Sequence, residues 1–447
     1  MLKRIGRSAP LRIVVADDSK LVYSDNWRHG WLSGFKQLGC EIQVVDISCL
    51  RMMGAGGPYS TRGCNTAKGL ADNIIRMKPD LVWCYHGRSA AQATFLQPLR
   101  RAGIKTATYL PDEPYECGES AKFSTLYDYV FTMDYCTVGI HDAARQLPNR
   151  GRVFYLPPCA DVLAFRCKDY SRRTVPAFFL GNPVLIPREE YLRAVEKLVD
   201  GADIRFWPSR GLPVNKFHKL WIKQEEHPIY YSTCKVGLNV HRAPGMTMEC
   251  YKRRVKGRPP NQPIPAGFTL PSAPPKKDGT GFWNDFNAPA SHVNPRFFEM
   301  AACGTLVVSD NHRLELQRMF PYAPRAATPE EYVGHVLYYL NNLHEAEQIG
   351  QACSFEISRR HTFKHRAAEV MIRVGLTDLL KEDQRLFLEG QADWLTPQDL
   401  PLPKGKSSSE RTGLCDSWNP QSGLSLTGMC GSPSQRESLD APIPWSP

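Results

Sequence analysis

The first third of the chain alternates short apolar runs with longer stretches in which apolar residues recur at helical spacing. The apolar runs are typical of buried strands, and the six clearest are LRIVVAD, EIQVVDI, DLVWCYHG, KTATYLPD, DYVFTMD and RVFYLP. Three intervening segments are predicted helices, at 27–39, 66–78 and 89–102. This alternation predicts that residues 1–160 form a parallel sheet with helices on both faces.

A second alternation of the same kind begins near Pro176. Its predicted strands are AFFLGNP, DIRFW, KVGLNVHR and GTLVVSD. Its predicted helices are 188–199, 329–342, 344–358 and 363–374. The pattern closes near residue 376, so residues 161–376 are predicted to form a second Rossmann-like domain. We expect its last helix to pack back toward the first domain.

Two regions interrupt this alternation. Residues 243–290 are a basic, proline-rich insertion between the predicted strand KVGLNVHR and the next helix. A loop of this length inside a domain is either a functional lid or disordered, and both interpretations stay open. Residues 377–447 are a C-terminal extension that we expect to be mostly disordered, because its serine-, proline- and glycine-rich end has few large aliphatic residues.

The composition narrows the class of protein. The chain has 447 residues, of which 42% are hydrophobic, so it has apolar material for two separate cores. A net charge of +11 is compatible with a partner that carries phosphates, such as DNA or a nucleotide-sugar diphosphate. Part of the charge lies in basic runs such as 251–258, which are more typical of solvated loops than of a binding patch. Its 14 cysteines include no C-x-x-C pair, so we predict reduced thiols and no metal site. Without a long apolar run or a signal-peptide pattern, we expect a cytoplasmic protein that does not span a membrane.

The segment NPRFFEMAACGTLVVSD groups three polar side chains at the start of one predicted helix. The helix N-terminus and Arg296 favour an anion such as a diphosphate. The carboxylate of Glu299 can accept hydrogen bonds from two ribose hydroxyls. The alternative is structural: Asn294 caps a helix that has Pro295 at its first position, and Glu299 forms a salt bridge.

This segment resembles the motif N-x-R-x-F-E-x-x-A-C-G of the CgeB-like glycosyltransferases, a branch of the GT-B enzymes found among spore-maturation proteins and in phage. The matching positions are Asn294, Arg296, Phe298, Glu299, Ala302, Cys303 and Gly304. The resemblance extends over most of residues 11–376 and includes LPDEPYE, YDYVFTMD, YLPPCADVLAF and RRHTFKHRA in that order.

The resemblance implies an α/β protein of the GT-B fold, in which two Rossmann-like domains face each other across a cleft. It implies a glycosyltransferase that moves a hexose from a UDP-sugar or related donor to a hydroxyl acceptor without a metal ion. The donor-binding residues that it implies are Arg188, Asn294, Arg296, Glu299 and Gly304, with the ribose held by Glu299. A structural alternative for Arg188 is a solvated arginine in the first turn of a helix.

One position departs from the wider group of retaining GT-B enzymes. Those enzymes carry two glutamates separated by seven residues, and Glu299 corresponds to the second of them. Ser291 stands at the first position, so the stereochemical outcome of the transfer stays open. The substitution also supports an alternative function, that of a catalytically silent GT-B protein which binds sugar nucleotides or serves a structural role.

Residues that follow the strands of the first domain are candidates for the acceptor side, because ligands collect at the carboxyl ends of parallel strands. His86 can orient or deprotonate an acceptor hydroxyl, and Asp112 and Glu113 can act as its base. A structural histidine and an aspartate-initiated turn are the alternatives. The acceptor itself is unknown; a surface glycan and a modified base in DNA both fit.

Overall fold

The computed structural model describes nine stretches of the chain in detail. They are residues 10–19, 25–52, 64–145, 151–165, 172–181, 188–206, 222–241, 290–311 and 313–377. All of them belong to one compact unit, Met1–Pro403. The predicted insertion 243–290, apart from its last residue, and the predicted tail 377–447, apart from its first residue, lie outside the described residues.

The N-terminal half contains a parallel sheet of six strands. The strands are β1 (Arg12–Asp17), β2 (Glu41–Asp46), β3 (Leu81–Tyr85), β4 (Lys105–Leu110), β5 (Tyr129–Thr132) and β6 (Val153–Tyr155). The helices are α1 (Asp25–Gln37), α2 (Ser48–Met52), α3 (Cys64–Met77), α4 (Ala93–Arg101), α5 (Cys117–Ser124) and α6 (Val138–Ala143). The spatial order is β2-β1-β3-β4-β5-β6, so the direction of the winding reverses between β1 and β3.

The apolar runs form strands because both faces of this sheet are covered by helices. In β1, Ile13 and Val15 pack into the core on one face, while Val14 and Ala16 pack into the core on the other. A strand buried on both sides needs apolar residues at every position, which is the pattern that the sequence shows.

The C-terminal half contains a second parallel sheet, with five strands in the described residues. They are β7 (Val175–Gly181), β8 (Asp203–Phe206), β9 (Cys234–Asn239), β10 (Leu306–Asp310) and β11 (Arg325–Ala326), in the order β11-β10-β9-β7-β8. The helices are α7 (Arg188–Leu198), α8 (His227–Thr233), α9 (Pro295–Ala302), α10 (Leu314–Met319), α11 (Pro329–Asn341), α12 (Leu343–Arg360) and α13 (Phe363–Arg373). Helices α7 and α11 cover one face, and α8, α9 and α12 cover the other.

The last helix, α13, belongs to the core of the N-terminal half, as the sequence predicts. Phe363 and Met371 are buried in the cluster that includes Trp31 of α1. Two glycines of α1 make the close approach possible: a Cβ on Gly30 would overlap the ring of Phe363, and one on Gly34 would lie 2.5 Å from the backbone oxygen of Phe363. The chain therefore crosses from the second sheet back to the first.

The ten strands predicted from the apolar runs correspond to β1 through β10, and the predicted long helices are present with ends shifted by a few residues. The short elements α5, α6, α8, α10 and β11 are not evident from the periodicity. Among the described helices, none combines the length and the apolar character needed to cross a bilayer.

Candidate functional site

A cavity of about 260 Å³ lies where the carboxyl ends of strands from both sheets meet. The N-terminal half lines it with residues that follow β4 and β5, including Asp112 and Tyr115. The C-terminal half lines it with the ends of β7 and β9 and with the starts of α7 and α9. Ligands of doubly wound folds bind at such strand ends, so this cavity is the candidate site.

The wall from the C-terminal half is cationic. Arg188, the first residue of α7, lines the cavity and donates from Nε to the carbonyl of Val240 at 2.5 Å. Asn294 caps α9, because its Oδ1 accepts the amide of Arg296 at 3.0 Å, and both residues line the cavity. Two helix N-termini and two guanidinium groups therefore meet at one place, an arrangement that binds anions such as phosphates.

A buried histidine holds the start of α9 in place. His241 Nδ1 lies 3.0 Å from Oδ2 of Asp310, and its Nε2 accepts the backbone amide of Asn294 at 3.1 Å. This geometry requires a neutral ring that carries its proton on Nδ1. Burial accordingly lowers the pKa of His241 to about 4. The ring acts as a fixed link between the end of β10 and the cap of the helix.

Glu299 lies one turn into α9 and does not line the cavity. The residue is 4% exposed, and its carboxylate accepts hydrogen bonds from Tyr231 and Arg296, each at 3.3 Å. Burial raises the pKa of Glu299. The side chain also borders a narrow space together with Trp27 and Phe363. The predicted ribose contact stays a prediction.

The wall from the N-terminal half is acidic. Asp112 lines the cavity, and its Oδ2 lies 3.1 Å from Nε2 of His86, with Glu116 Oε2 at 3.9 Å from the same nitrogen. Burial opposes protonation of His86, but the hydrogen bond and charge of Asp112 outweigh it and raise the pKa of His86. Burial and the charge of Asp112 raise the pKa of Glu116 to about 7. This wall can therefore exchange protons near neutral pH.

Four predicted site residues do not line the cavity: His86 and Glu299, described above, and Glu113 and Gly304. Glu113 was expected to face the cleft with Asp112, but it is 1% exposed and contacts Ser120 and His141 inside the N-terminal half. The turn after β4 thus directs the two adjacent carboxylates to different partners, Asp112 to His86 and Glu113 to His141. Gly304 lies between α9 and β10, at the amino end of that strand, where its φ of +69° accounts for a glycine without a ligand.

Ser291 belongs to a buried joint between the two halves. Its amide and hydroxyl donate to the carboxylate of Asp134 at 2.8 and 3.1 Å, and its Oγ also lies 2.6 Å from Glu315. His292 Nδ1 lies 2.9 Å from the same carboxylate of Asp134. A glutamate at position 291 would add a third carboxylate to this joint, which gives a structural reason for the serine.

The two carboxyl groups of the joint, Asp134 and Glu315, have pKa values that are shifted in opposite directions. Burial opposes ionisation of Asp134, but hydrogen bonds from His292 and Ser291 outweigh it and lower the pKa of Asp134. Burial and the charge of Asp134 raise the pKa of Glu315 to about 8. Because a hydroxyl has one proton, Ser291 can donate to Asp134 while a protonated Glu315 donates to the serine.

The sequence pattern does not identify five residues near the cavity and the joint: Glu116, Asp134, His241, His292 and Glu315. Two of them could have been found from their positions in the sequence. Glu116 follows Asp112 by four residues, and His241 lies at the end of a predicted strand. The other three depend on contacts between residues far apart in the chain.

Part of the C-terminal half matches a known family, and the whole arrangement matches known structures. Residues 283–372 match a protein family described as glycosyl transferase-like. A sucrose-phosphate synthase from Thermosynechococcus elongatus has a similar structure, with a TM-score of 0.50 at 9% sequence identity, over 82% of this chain and 98% of that chain. HepE of Anabaena, solved in complex with UDP, also has a TM-score of 0.50, at 8% identity over 82% of this chain and 100% of that chain. No curated protein sequence matches the chain.

These likenesses show the fold. The chain has the GT-B architecture, in which two Rossmann-like α/β domains with parallel sheets face each other across a cleft. The predicted fold class is therefore confirmed. The narrower resemblance to the CgeB-like branch stays a prediction.

Proposed function

We propose that the protein is a glycosyltransferase that moves a sugar from a nucleotide-sugar donor to a hydroxyl acceptor. The observation that carries the proposal is the contrast between the two walls of the cavity. One wall brings Arg188 and Arg296 together with two helix N-termini, and the opposite wall presents Asp112. The match of residues 283–372 to a glycosyl transferase-like family and the UDP bound to HepE support the same conclusion.

The donor diphosphate binds the cationic wall in this proposal. Arg188, Arg296 and the amides at the starts of α7 and α9 offset the charge that develops on the departing diphosphate, so no metal ion is needed there. Glu299, which the resemblance assigns to the donor ribose, follows Arg296 by three residues on the same helix. A cytoplasmic location, where we expect the chain from its sequence, belongs to the same proposal.

The acceptor lies against the acidic wall. Its hydroxyl oxygen forms a bond to C1 of the sugar, while the bond between C1 and the diphosphate oxygen breaks and its electrons leave with the diphosphate. The proton of the hydroxyl passes to the carboxylate of Asp112, which His86 holds in place at 3.1 Å. A surface glycan or a modified base in DNA is the acceptor class that we propose.

A screen of nucleotides and nucleotide sugars by thermal shift tests donor binding. Ligand at a hundredfold excess over its dissociation constant stabilises the folded state by about 2.7 kcal/mol, which such a screen detects. The Arg188→Gln variant should lose about ten- to a hundredfold in donor affinity, because it loses charge-assisted hydrogen bonds to phosphate. Lys197→Gln, at the exposed end of the same helix, is the matched control and should bind as the unaltered chain does.

Release of nucleotide from a panel of UDP-sugars tests the transfer itself. An active enzyme should release UDP slowly by hydrolysis of the donor, and faster when an acceptor is added. A protein that binds nucleotide sugars but releases none with any acceptor would be a catalytically silent relative. Equal donor affinity in Arg188→Gln and Lys197→Gln would instead show that the cationic wall does not bind the diphosphate.

A further inference from the structure

A second cluster of reactive side chains lies inside the N-terminal half, behind the acidic wall. It consists of Glu113 in the turn after β4, Cys117 at the start of α5 and His141 on α6. Glu113 is 1% exposed, and Cys117 and His141 are fully buried. The proposed transfer does not use any of the three. Buried ionisable groups of this kind need a physical explanation, since burying a charge is costly unless it is paired.

The contacts of the side chains separate this cluster from His86. Asp112 and Glu116 lie against the ring of His86, whereas Glu113 and Cys117 lie against the buried ring of His141.

The three side chains have the geometry of metal ligands. His141 Nε2 lies 3.4 Å from Glu113 Oε1 and 4.0 Å from Cys117 Sγ, and all three atoms lie within 4.8 Å of one another. Zinc binds nitrogen and oxygen at about 2.0–2.2 Å and sulfur at about 2.3 Å, so tetrahedral ligand atoms are about 3.3–3.6 Å apart. The ligand atoms must close by up to about an ångström to reach these distances.

We propose that Glu113, Cys117 and His141 bind a zinc ion. A thiolate and an imidazole select zinc over magnesium or calcium, which prefer ligand sets made of oxygen. The carboxylate and the thiolate together neutralise the charge of the ion, so the buried site carries no net charge. Glu113 Oε2 is fully buried and has no hydrogen-bond partner among the described residues. Coordination through both oxygens of Glu113 satisfies it and brings the number of ligand atoms to four.

Two serines of α5 form hydrogen bonds to two of the proposed ligands. The hydroxyl of Ser120 donates to Glu113 Oε1, and Oγ of Ser124 lies 3.3 Å from Nδ1 of His141. A proton on Nδ1 can be donated to Ser124, which leaves Nε2 free to bind the ion. Outer hydrogen bonds of this kind fix the ring orientation and the tautomer of a histidine ligand.

The position of the ion gives it a structural role. It joins the turn after β4 to α6, and that turn carries Asp112 and Tyr115 to the cavity. The ion stabilises the acidic wall from the inside and touches neither the donor nor the acceptor. It is therefore compatible with a transfer reaction that uses no metal at the diphosphate.

Replacement by cobalt tests the proposal, because Co²⁺ occupies zinc sites and absorbs in the near ultraviolet when a thiolate binds it. The full-length protein, stripped by a chelator and reloaded with CoCl₂, should bind one ion per chain and show this absorption. Cys117→Ser should lose both the absorption and the bound ion. Cys84→Ser, which alters a buried thiol of β3, is the matched control and should keep both.

Two further variants decide where the ion binds. Asp112→Asn should keep the ion, since the other group of ligand-type side chains in the described residues, His86, Asp112 and Glu116, is a separate cluster. Ser124→Ala should weaken zinc binding by about ten- to a hundredfold in competition with a chromogenic chelator. The Ser124 measurement decides the matter if Cys117→Ser does not fold.

The proposal is overturned by three results. One is the absence of thiolate-to-cobalt absorption in the unaltered chain, and another is equal absorption in Cys117→Ser. The third is an unchanged zinc affinity in Ser124→Ala. Each result is independent of glycosyl transfer, so the zinc site and the proposed function succeed or fail separately.

Discussion

Two histidine–carboxylate pairs at the ends of the two sheets look alike but differ in charge. In the N-terminal half, His86 lies 3.1 Å from Asp112; in the C-terminal half, His241 lies 3.0 Å from Asp310. The pKa of His86 is raised, whereas burial lowers the pKa of His241 to about 4. A carboxylate neighbour alone therefore does not determine the charge of a histidine.

The surroundings explain the difference. Glu116 adds a second negative charge near His86, and the side chain of His86 is 19% exposed. The side chain of His241 is 2% exposed and has the positive charges of Arg313 and His292 nearby, which act with burial against protonation. The acidic wall can thus change its charge near neutral pH, while His241, behind the wall that we assign to the donor, stays neutral there.

Substitution of Asp112 should have the largest effect on the difference between the two walls. Asp112→Asn keeps the size of the side chain but removes the proton acceptor, so kcat should fall by about 10²- to 10⁴-fold with donor affinity nearly unchanged. Steady-state kinetics with a donor and an identified acceptor measure both quantities. An equal loss of kcat and of donor affinity would mean that Asp112 binds the donor, and the assignment of the two walls would fail.

The sheets and most of their helices could be predicted from sequence because burial on both faces leaves a clear signal. Strands such as β1 and β10 are nearly continuous apolar runs, and the start of α9 is marked by Asn294 followed by proline. Periodicity also predicted α13, and the expected packing of that helix against the first domain is confirmed.

The remaining details could not be predicted because they depend on tertiary contacts. Ser291 and Asp134 are 157 residues apart, and no local pattern indicates that they meet. The direction of Glu113 depends on the turn after β4, which the apolar pattern does not describe. Glu299 was predicted near the start of a helix, and it lies one turn into α9. Its contact with Tyr231 and its burial depend on how α8 and α9 pack, which the sequence does not indicate.

Glu299 tests whether the donor wall extends beyond the cavity. Glu299→Gln keeps the shape but removes the charge that makes acceptance from two ribose hydroxyls strong, at a cost of about 1.5–3 kcal/mol. Donor affinity, measured by calorimetry, should fall by about ten- to a hundredfold. If affinity is unchanged while the melting temperature falls, the carboxylate serves only Tyr231 and Arg296 within the fold.

A pair of glycine variants tests how the last helix joins the two halves. Gly34→Ala places a methyl group 2.5 Å from the backbone oxygen of Phe363, so α1 and α13 must separate, at about 1–3 kcal/mol of unfolding free energy. Gly69→Ala on α3 meets nothing within 4 Å and should stabilise the helix by roughly 0.5–1 kcal/mol. Urea unfolding measures both changes. Equal stability of the two variants would show that the packing of α1 against α13 is loose.

The pH dependence of stability compares the two histidines directly. In the folded state the pKa of His241 lies below the value of 6.5 for an unperturbed histidine. Between pH 6.5 and about 4, the ring is therefore protonated in the unfolded state but neutral in the folded state. Stability should therefore fall as the pH falls through this window, by at most about 1.4 kcal/mol per pH unit for this one group. His241→Gln should make the slope in this window shallower.

His86 changes the stability with pH in the opposite direction, because its pKa is raised in the folded state. Its contribution is complete below pH 6.5 and is lost as the pH rises through the folded pKa, so His86→Gln should alter the slope only on the alkaline side of 6.5. Urea unfolding of both variants and the unaltered chain, from pH 4 to 8.5, measures the slopes. If the two variants changed the slope in the same window, the two pairs would not differ in charge as the geometry requires. The contrast between a histidine that gains a proton more readily in the folded state and one that stays neutral would then be wrong.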